Sequence, residues 1–130
     1  MHMFINCRNG RFWSNQVDLG SELNGPMTIA GKRFLKWKQG GGLPESMPCN
    51  DERECPPGWV VAYDLQILHA GQAYILTVSG KALEIALLPY LRWLEDMHCS
   101  LGDVRTVVTA QDADTYTFLK FGIGIVQYPG

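Results

Sequence analysis

Residues 59–98 read WVVAYDLQILHAGQAYILTVSGKALEIALLPYLRWLEDMH, and the changes of period inside this stretch decide the fold. Trp59, Val61, Tyr63, Leu65 and Ile67 alternate with Asp64 and Gln66, the two-residue period of a strand with one buried face. His69-Ala70-Gly71-Gln72 then supplies a glycine where a tight reversal needs positive φ, and Ala73 to Val78 resumes an extended pattern. The first half is therefore a β-hairpin. Ser79 stands at a helix N-cap position, and Lys81 to His98 places Leu83, Leu87, Tyr90, Leu91, Leu94 and Met97 on one core-facing stripe. Pro89 lacks a backbone donor and clashes with the preceding turn, which predicts a kink or two short helices meeting there. Ile85, Leu88 and Trp93 lie off the stripe, so the helix packs on two faces or offers a patch to another chain, a homodimer included.

Downstream, Ser100 to Asp103 ends the helix and Val104 to Ala110 alternates weakly before a turn at Gln111-Asp112-Ala113-Asp114. That turn lacks the further acids and the glycine of a calcium loop. A last strand, Thr115 to Gln127, carries Tyr116, Phe118 and Lys120 on one side and Thr115, Thr117, Leu119, Phe121, Ile123 and Ile125 on the other. Gly122 and Gly124 mark a bulge or bend of the kind a small barrel needs at its corners.

Upstream of the hairpin, residues 39–58 contain a glycine triplet, four prolines and the charged run Asp51-Glu52-Arg53-Glu54, the composition of a long acidic loop without regular structure. The expected organisation is a single domain over residues 1–130, since that length and an apolar content of 46% suffice for one core. The longest apolar candidate, Ala82 to Met97, is broken by Glu84, Pro89, Arg92, Glu95 and Asp96, too polar to cross a bilayer. Met3-Phe4-Ile5 runs at once into Asn6, Arg8, Asn9 and Arg11 rather than into a signal peptide, so a soluble, cytoplasmic protein without membrane partners is expected. Met1-His2-Met3 reads as a cloning scar before a natural start at Met3, and His2 is given no role.

Cys7, Cys49, Cys55 and Cys99 include no Cys-x-x-Cys pair. Free thiols and no cofactor are expected. A zinc set of Cys49, Cys55, His98 and Cys99 is the first alternative, and a Cys49–Cys55 disulfide the second.

The net charge of −2 hides a polarised chain. Up to Leu43 six basic residues stand against two acids, and the remainder holds five basic residues and eleven acids. Lys32-Arg33-Phe34-Leu35-Lys36-Trp37-Lys38 would, as a strand, put Lys32, Phe34, Lys36 and Lys38 on one face and Arg33, Leu35 and Trp37 on the other. Cations for phosphates beside flat rings for bases are what single-stranded nucleic acid requires. The competing reading is an amphipathic strand with solvated lysines and with Leu35 and Trp37 anchored in the core.

The order strand, strand, helix, strand, strand, with at least one further strand in residues 3–38, resembles the oligonucleotide-binding (OB) fold, a small barrel with a helix closing one end. In pattern, Asp64-Leu65-Gln66-Ile67-Leu68, Tyr74 to Ser79 and Val104 to Val126 resemble small single-stranded-DNA-binding proteins of phages and mobile elements. The fold class is thus mainly β with one long helix (α+β), a small antiparallel barrel. An open antiparallel sheet with the helix on one face is the alternative.

The expected function is non-catalytic binding of single-stranded nucleic acid. Lys32, Arg33, Lys36, Lys38 and Lys120 would neutralise phosphates, and Phe34, Trp37, Tyr116 and Phe118 would stack on bases. No histidine stands beside an obvious nucleophile, and Gly40-Gly41-Gly42 is followed by Leu43-Pro44 rather than by a phosphate-loop lysine, so no enzyme is expected. The alternative is an accessory or inhibitor factor of a phage or plasmid that engages a larger protein through the acidic loop 44–57 and the apolar helix.

Overall fold

The computed structural model describes residues 3–112 and 117–124. Among the described residues nine strands form one strongly curled, open sheet: β1 (Met3–Arg8), β2 (Arg11–Ser14), β3 (Val17–Gly20), β4 (Glu22–Lys36), β5 (Glu45–Pro48), β6 (Val60–His69), β7 (Gln72–Ser79), β8 (Arg105–Asp112) and β9 (Thr117–Ile123). Their order is β3-β2-β1-β7-β6-β4-β8-β9, with β5 paired to β4. The sequence expects a small barrel, with an open antiparallel sheet as the alternative; the sheet curls into a half-barrel but stays open. The second edge of β7 is taken by β1, which pairs with it in parallel, Phe4 opposite Ile75. Curling nevertheless brings the first hairpin to the far edge, where the Gly10 N–H donates to the Thr117 hydroxyl at 3.2 Å.

The hairpin expected at residues 59–78 is present. Its two-residue turn, Ala70 (φ 50°) and Gly71 (φ 81°), has positive φ at both positions, the twist-compatible reversal that joins β6 to β7. Tyr63, Leu65 and Ile67 of β6 are buried with Tyr74, Leu76 and Val78 of β7. Leu83 and Leu87 of the helix, Leu23 and Met27 of β4, Val108 of β8 and Leu119 of β9 complete that core.

Strand β4 organises the sheet. Its first part, Glu22 to Pro26, pairs with β8, while Met27 to Leu35 pairs with β6. Gly25 sits where the strand crosses the end of β6, so close that a Cβ would lie 1.7 Å from the Leu68 carbonyl oxygen. Beside it the Asn24 N–H donates to His69 Nδ1 at 3.1 Å, which satisfies a backbone donor at the bend. A bulge follows, because Ile29 opposes Leu65 while Gly31 opposes Asp64, leaving Ala30 unpaired. That extra residue inverts the side-chain parity. Met27 and Ile29 oppose Ile67 and Leu65, yet beyond the bulge Lys32 and Phe34 oppose Tyr63 and Val61.

The helix runs over residues 80–96, one residue ahead of the expected start. Its middle, Leu83–Leu87, is π-helical, and Leu88–Asp96 is α-helical. The Leu88 N–H bonds to the Leu83 carbonyl, and the π-helical segment meets the α-helical one at Leu88, so that Pro89 falls in the first turn of the second, the meeting of two short helices that was one of the two expectations there. Ser79 holds the N-cap position without a side-chain hydrogen bond. At the other end His98 adopts positive φ (58°). The Cys99 N–H returns to the Leu94 carbonyl and the His98 N–H to the Glu95 carbonyl, both at 2.9 Å, a Schellman closure. Met97, expected on the core stripe, is 48% exposed because the helix terminates beneath it.

The segment 39–58 is less irregular than its composition suggests. It contains β5 on the edge of β4 and a 3-10 turn at Glu52–Glu54. Among the described residues no helix is long and apolar enough to cross a membrane.

Candidate nucleic-acid interface

The basic stripe lies on the last third of β4 and just beyond it. Alternation holds to Lys36, where the strand ends. Both Phe34 and Leu35 are buried, at 5% and 2% exposure, because Phe34 is flanked by Met47 of β5 and Val61 of β6 on one face and Leu35 is enclosed on the other. Phe34, expected to stack on a base, is thus a packing residue. Trp37 is 59% exposed, and the core anchor that the competing reading gave it is absent.

The bulge at Ala30 sets what the cations meet. Lys32 falls on the Tyr63 side of the ladder, with its ammonium 4.6 Å from the centre of the Tyr63 ring. Its Nζ donates to Glu52 Oε1 at 2.8 Å, and the Tyr63 hydroxyl donates to the same oxygen. The Lys32 hydrogen bond, followed by that of Tyr63, holds the Glu52 carboxyl below its usual range, and the Glu52 contact raises Lys32 in return. Burial, followed by the Glu52 hydrogen bond, raises the Tyr63 phenol.

Arg33 points to the other face. Its guanidinium pairs with Asp64, Nε to Oδ2 at 3.0 Å and Nη2 to Oδ1 at 3.1 Å, and Nη2 also reaches the Thr77 hydroxyl at 3.2 Å. Thr77 donates to Asp64 at 2.6 Å, closing a three-residue network across β4, β6 and β7. Of the seven-residue stripe, Lys36, Trp37 and Lys38 are exposed, and no side-chain ion pair or ring contact engages them among the described residues. Glu45 is the cross-strand neighbour of Lys36.

The second part of the expected site is on β9. Lys120 is exposed with its ammonium 6.0 Å from the Phe118 ring centre, and both residues lie on one side of the strand, as the alternation requires. Tyr116 lies outside the described residues. Lys120 opposes Thr109, which opposes Glu22 at the start of β4, whereas Lys36 ends the same strand. At about 3.3 Å per residue, roughly 46 Å of bent strand separates those ends. The two groups thus register with opposite ends of β4.

The four cysteines are free. Among the described residues no three of the histidine, cysteine and carboxylate side chains stand together in a way that could hold a metal, so Cys49, Cys55, His98 and Cys99 do not assemble into the zinc set considered above. Cys55 Sγ instead donates to the Trp59 carbonyl at 3.2 Å, while Cys99 sits in the closure of the helix.

Sequence reasoning missed Glu52, Tyr63 and Asp64 as members of this site. Glu52 reads as solvated loop, and Tyr63 and Asp64 as ordinary strand residues. The only available signal was charge complementarity between residues 32–38 and 51–54. Comparison with known protein families, curated proteins and solved structures finds no match to this chain.

Proposed function

We propose that this chain is a non-catalytic binder of single-stranded nucleic acid, of the kind used by phages and mobile elements in the cytoplasm, built on an OB-like frame. The path supports that frame. One long bent strand, β4, pairs with both β6 and β8, a helix separates β7 from β8, and β9 returns as the last strand. In this frame β1 to β3 are an N-terminal addition, and β1 occupies the edge of β7 through which a barrel would close. OB domains bind their ligand on their second and third strands and on the flanking loops, and here the loop after the long strand begins at Trp37.

The observation that carries the reading is Trp37, a large ring 59% exposed between two lysines at the mouth of that loop. Lys36 and Lys38 supply charge to the phosphates and Trp37 a stacking platform. A titration of a fluorescein-labelled oligothymidine at several salt concentrations tests it. Binding that weakens with salt and drops with Trp37→Ala supports the reading, and no binding by the wild type at low salt rejects it.

A second reading, an accessory or inhibitor factor for a larger protein, is favoured by the helix. Ile85 is 70% and Trp93 46% exposed, and Ile85 lines a cleft against Thr117, Phe118 and Leu119 of β9. Loss of a partner or of a homodimer on Ile85→Glu, with oligonucleotide binding absent throughout, would select it.

A further inference from the structure

Two hydrogen-bond donors from different strands converge on one oxygen, and that oxygen belongs to a loop. Lys32 Nζ on β4 lies 2.8 Å from Glu52 Oε1, and the Tyr63 hydroxyl on β6 donates to the same atom. An ammonium and a phenol aimed at a single anionic oxygen suit a phosphate oxygen equally well. The Lys32 ammonium also stands 4.6 Å from the centre of the Tyr63 ring, a contact separate from the one it makes to the carboxylate.

The carboxylate is carried on a surface turn. The turn that carries it, Glu52–Glu54, buries none of its residues; it is closed by the Glu54 N–H to the Asp51 carbonyl at 3.0 Å and by the Asp51 carboxylate, which accepts from the Arg53 N–H and guanidinium. An open cleft of about 360 Å³ lies between this turn and Lys32. Pro56, Pro57 and Gly58, the last at φ 83° with open space around it, join the segment to β6, where the Trp59 N–H donates to the Pro56 carbonyl at 3.1 Å and the Cys55 thiol to the Trp59 carbonyl at 3.2 Å. The Lys32–Glu52 pair is about two-fifths exposed on both sides, so solvent and competing anions reach it.

We propose that Lys32 and Tyr63 form a phosphate subsite for the backbone of single-stranded nucleic acid, and that Glu52 fills it as an internal phosphate mimic until the strand displaces the loop. This rests on the nucleic-acid reading above and extends its site from Trp37 along β4. Free protein is then partly self-blocked, and full affinity requires the turn at residues 51–54 to swing away.

Fluorescence anisotropy with a fluorescein-labelled oligothymidine separates this subsite from a general charge effect. Glu52→Gln should tighten binding by about 3- to 10-fold and steepen the dependence of log affinity on log salt by roughly 0.7, the share of one further phosphate. Glu54→Gln removes the same charge from the same turn without touching Lys32, and should change affinity by less than about 2-fold. Lys32→Ala should cost little in the wild type but erase the gain in the Glu52→Gln background. Equal gains from Glu52→Gln and Glu54→Gln, or a gain that persists without Lys32, overturn the subsite while nucleic-acid binding stands. Absence of binding in every variant rejects the nucleic-acid reading itself, and the subsite with it.

Discussion

The hydroxyls of Tyr90 and Thr106 meet at 2.9 Å inside the core and tie the helix to β8. Tyr90 is 5% exposed and Thr106 is fully buried, while the Tyr90 ring stacks on Phe121 of β9 at 6.1 Å. Neither hydroxyl has water to fall back on, so each depends on the other. Tyr90→Phe should cost about 1–3 kcal/mol because it strands the Thr106 hydroxyl, and Thr106→Val should cost a similar amount. The double variant should be closer to the wild type than the sum of the two, which a urea-denaturation cycle reads directly. Additive losses would show that the pair does not act as a unit.

Gly25 tests the bend of β4. A methyl group there would overlap the Leu68 carbonyl oxygen, and backbone atoms cannot yield as a flexible side chain can. Gly25→Ala should therefore destabilise the chain by about 3 kcal/mol or more, a penalty set by overlap rather than by strand propensity. Gly31→Ala, at a position with open space around it, is the control and should fall within about 1 kcal/mol of the wild type.

Phe34 and Trp37 should separate folding from binding. Phe34→Ala empties a buried site between β5 and β6 and should lower stability by about 3–5 kcal/mol. Trp37→Ala removes an exposed ring and should leave stability within about 0.5 kcal/mol, while weakening oligonucleotide binding by about 1–3 kcal/mol. Thermal melts and anisotropy on the same two variants provide the check, and the reverse pattern would contradict the placement of both rings.

Glu52 gives the loop contact a pH dependence of definite sign. Its carboxyl is held low first by the Lys32 hydrogen bond and next by that of Tyr63, so the folded chain binds this proton less readily than the unfolded chain does. The contact is therefore fully present above the ordinary glutamate value of about 4.3 and is lost as pH falls through the lower folded value. Amide shifts of residues 50–54, followed by NMR, should titrate with a midpoint below about 4.3 and move up towards it in Lys32→Ala. A midpoint indifferent to Lys32 would show that the ion pair does not hold the turn.

Cys7 should be the slowest thiol to alkylate. Burial pushes its pKa up to about 11, so at pH 8 only about one molecule in a thousand carries the reactive thiolate. Mass spectrometry after timed iodoacetamide labelling gives the order, and early labelling of Cys7 would mean that this thiol is not held in its half-buried position on β1 beside β2.

The pattern of residues 59–98 was enough to locate a hairpin, its turn and the helix, because strand and helix periods and a turn glycine are local properties that a short window contains. The identity of the basic stripe was legible for the same reason. Its exposure was not. An unpaired Ala30 inverts the parity of β4, so that Lys32 meets Tyr63 and Glu52, Arg33 meets Asp64 and Thr77, and only Lys36, Trp37 and Lys38 remain outward and unengaged along the stripe. The open sheet is likewise a tertiary outcome, since β1 takes the edge of β7 in parallel across some seventy residues of sequence. Pairings at that distance depend on which edge is free when the strands meet, and a bulge changes every contact beyond it by one residue. Composition and local period carry no record of either.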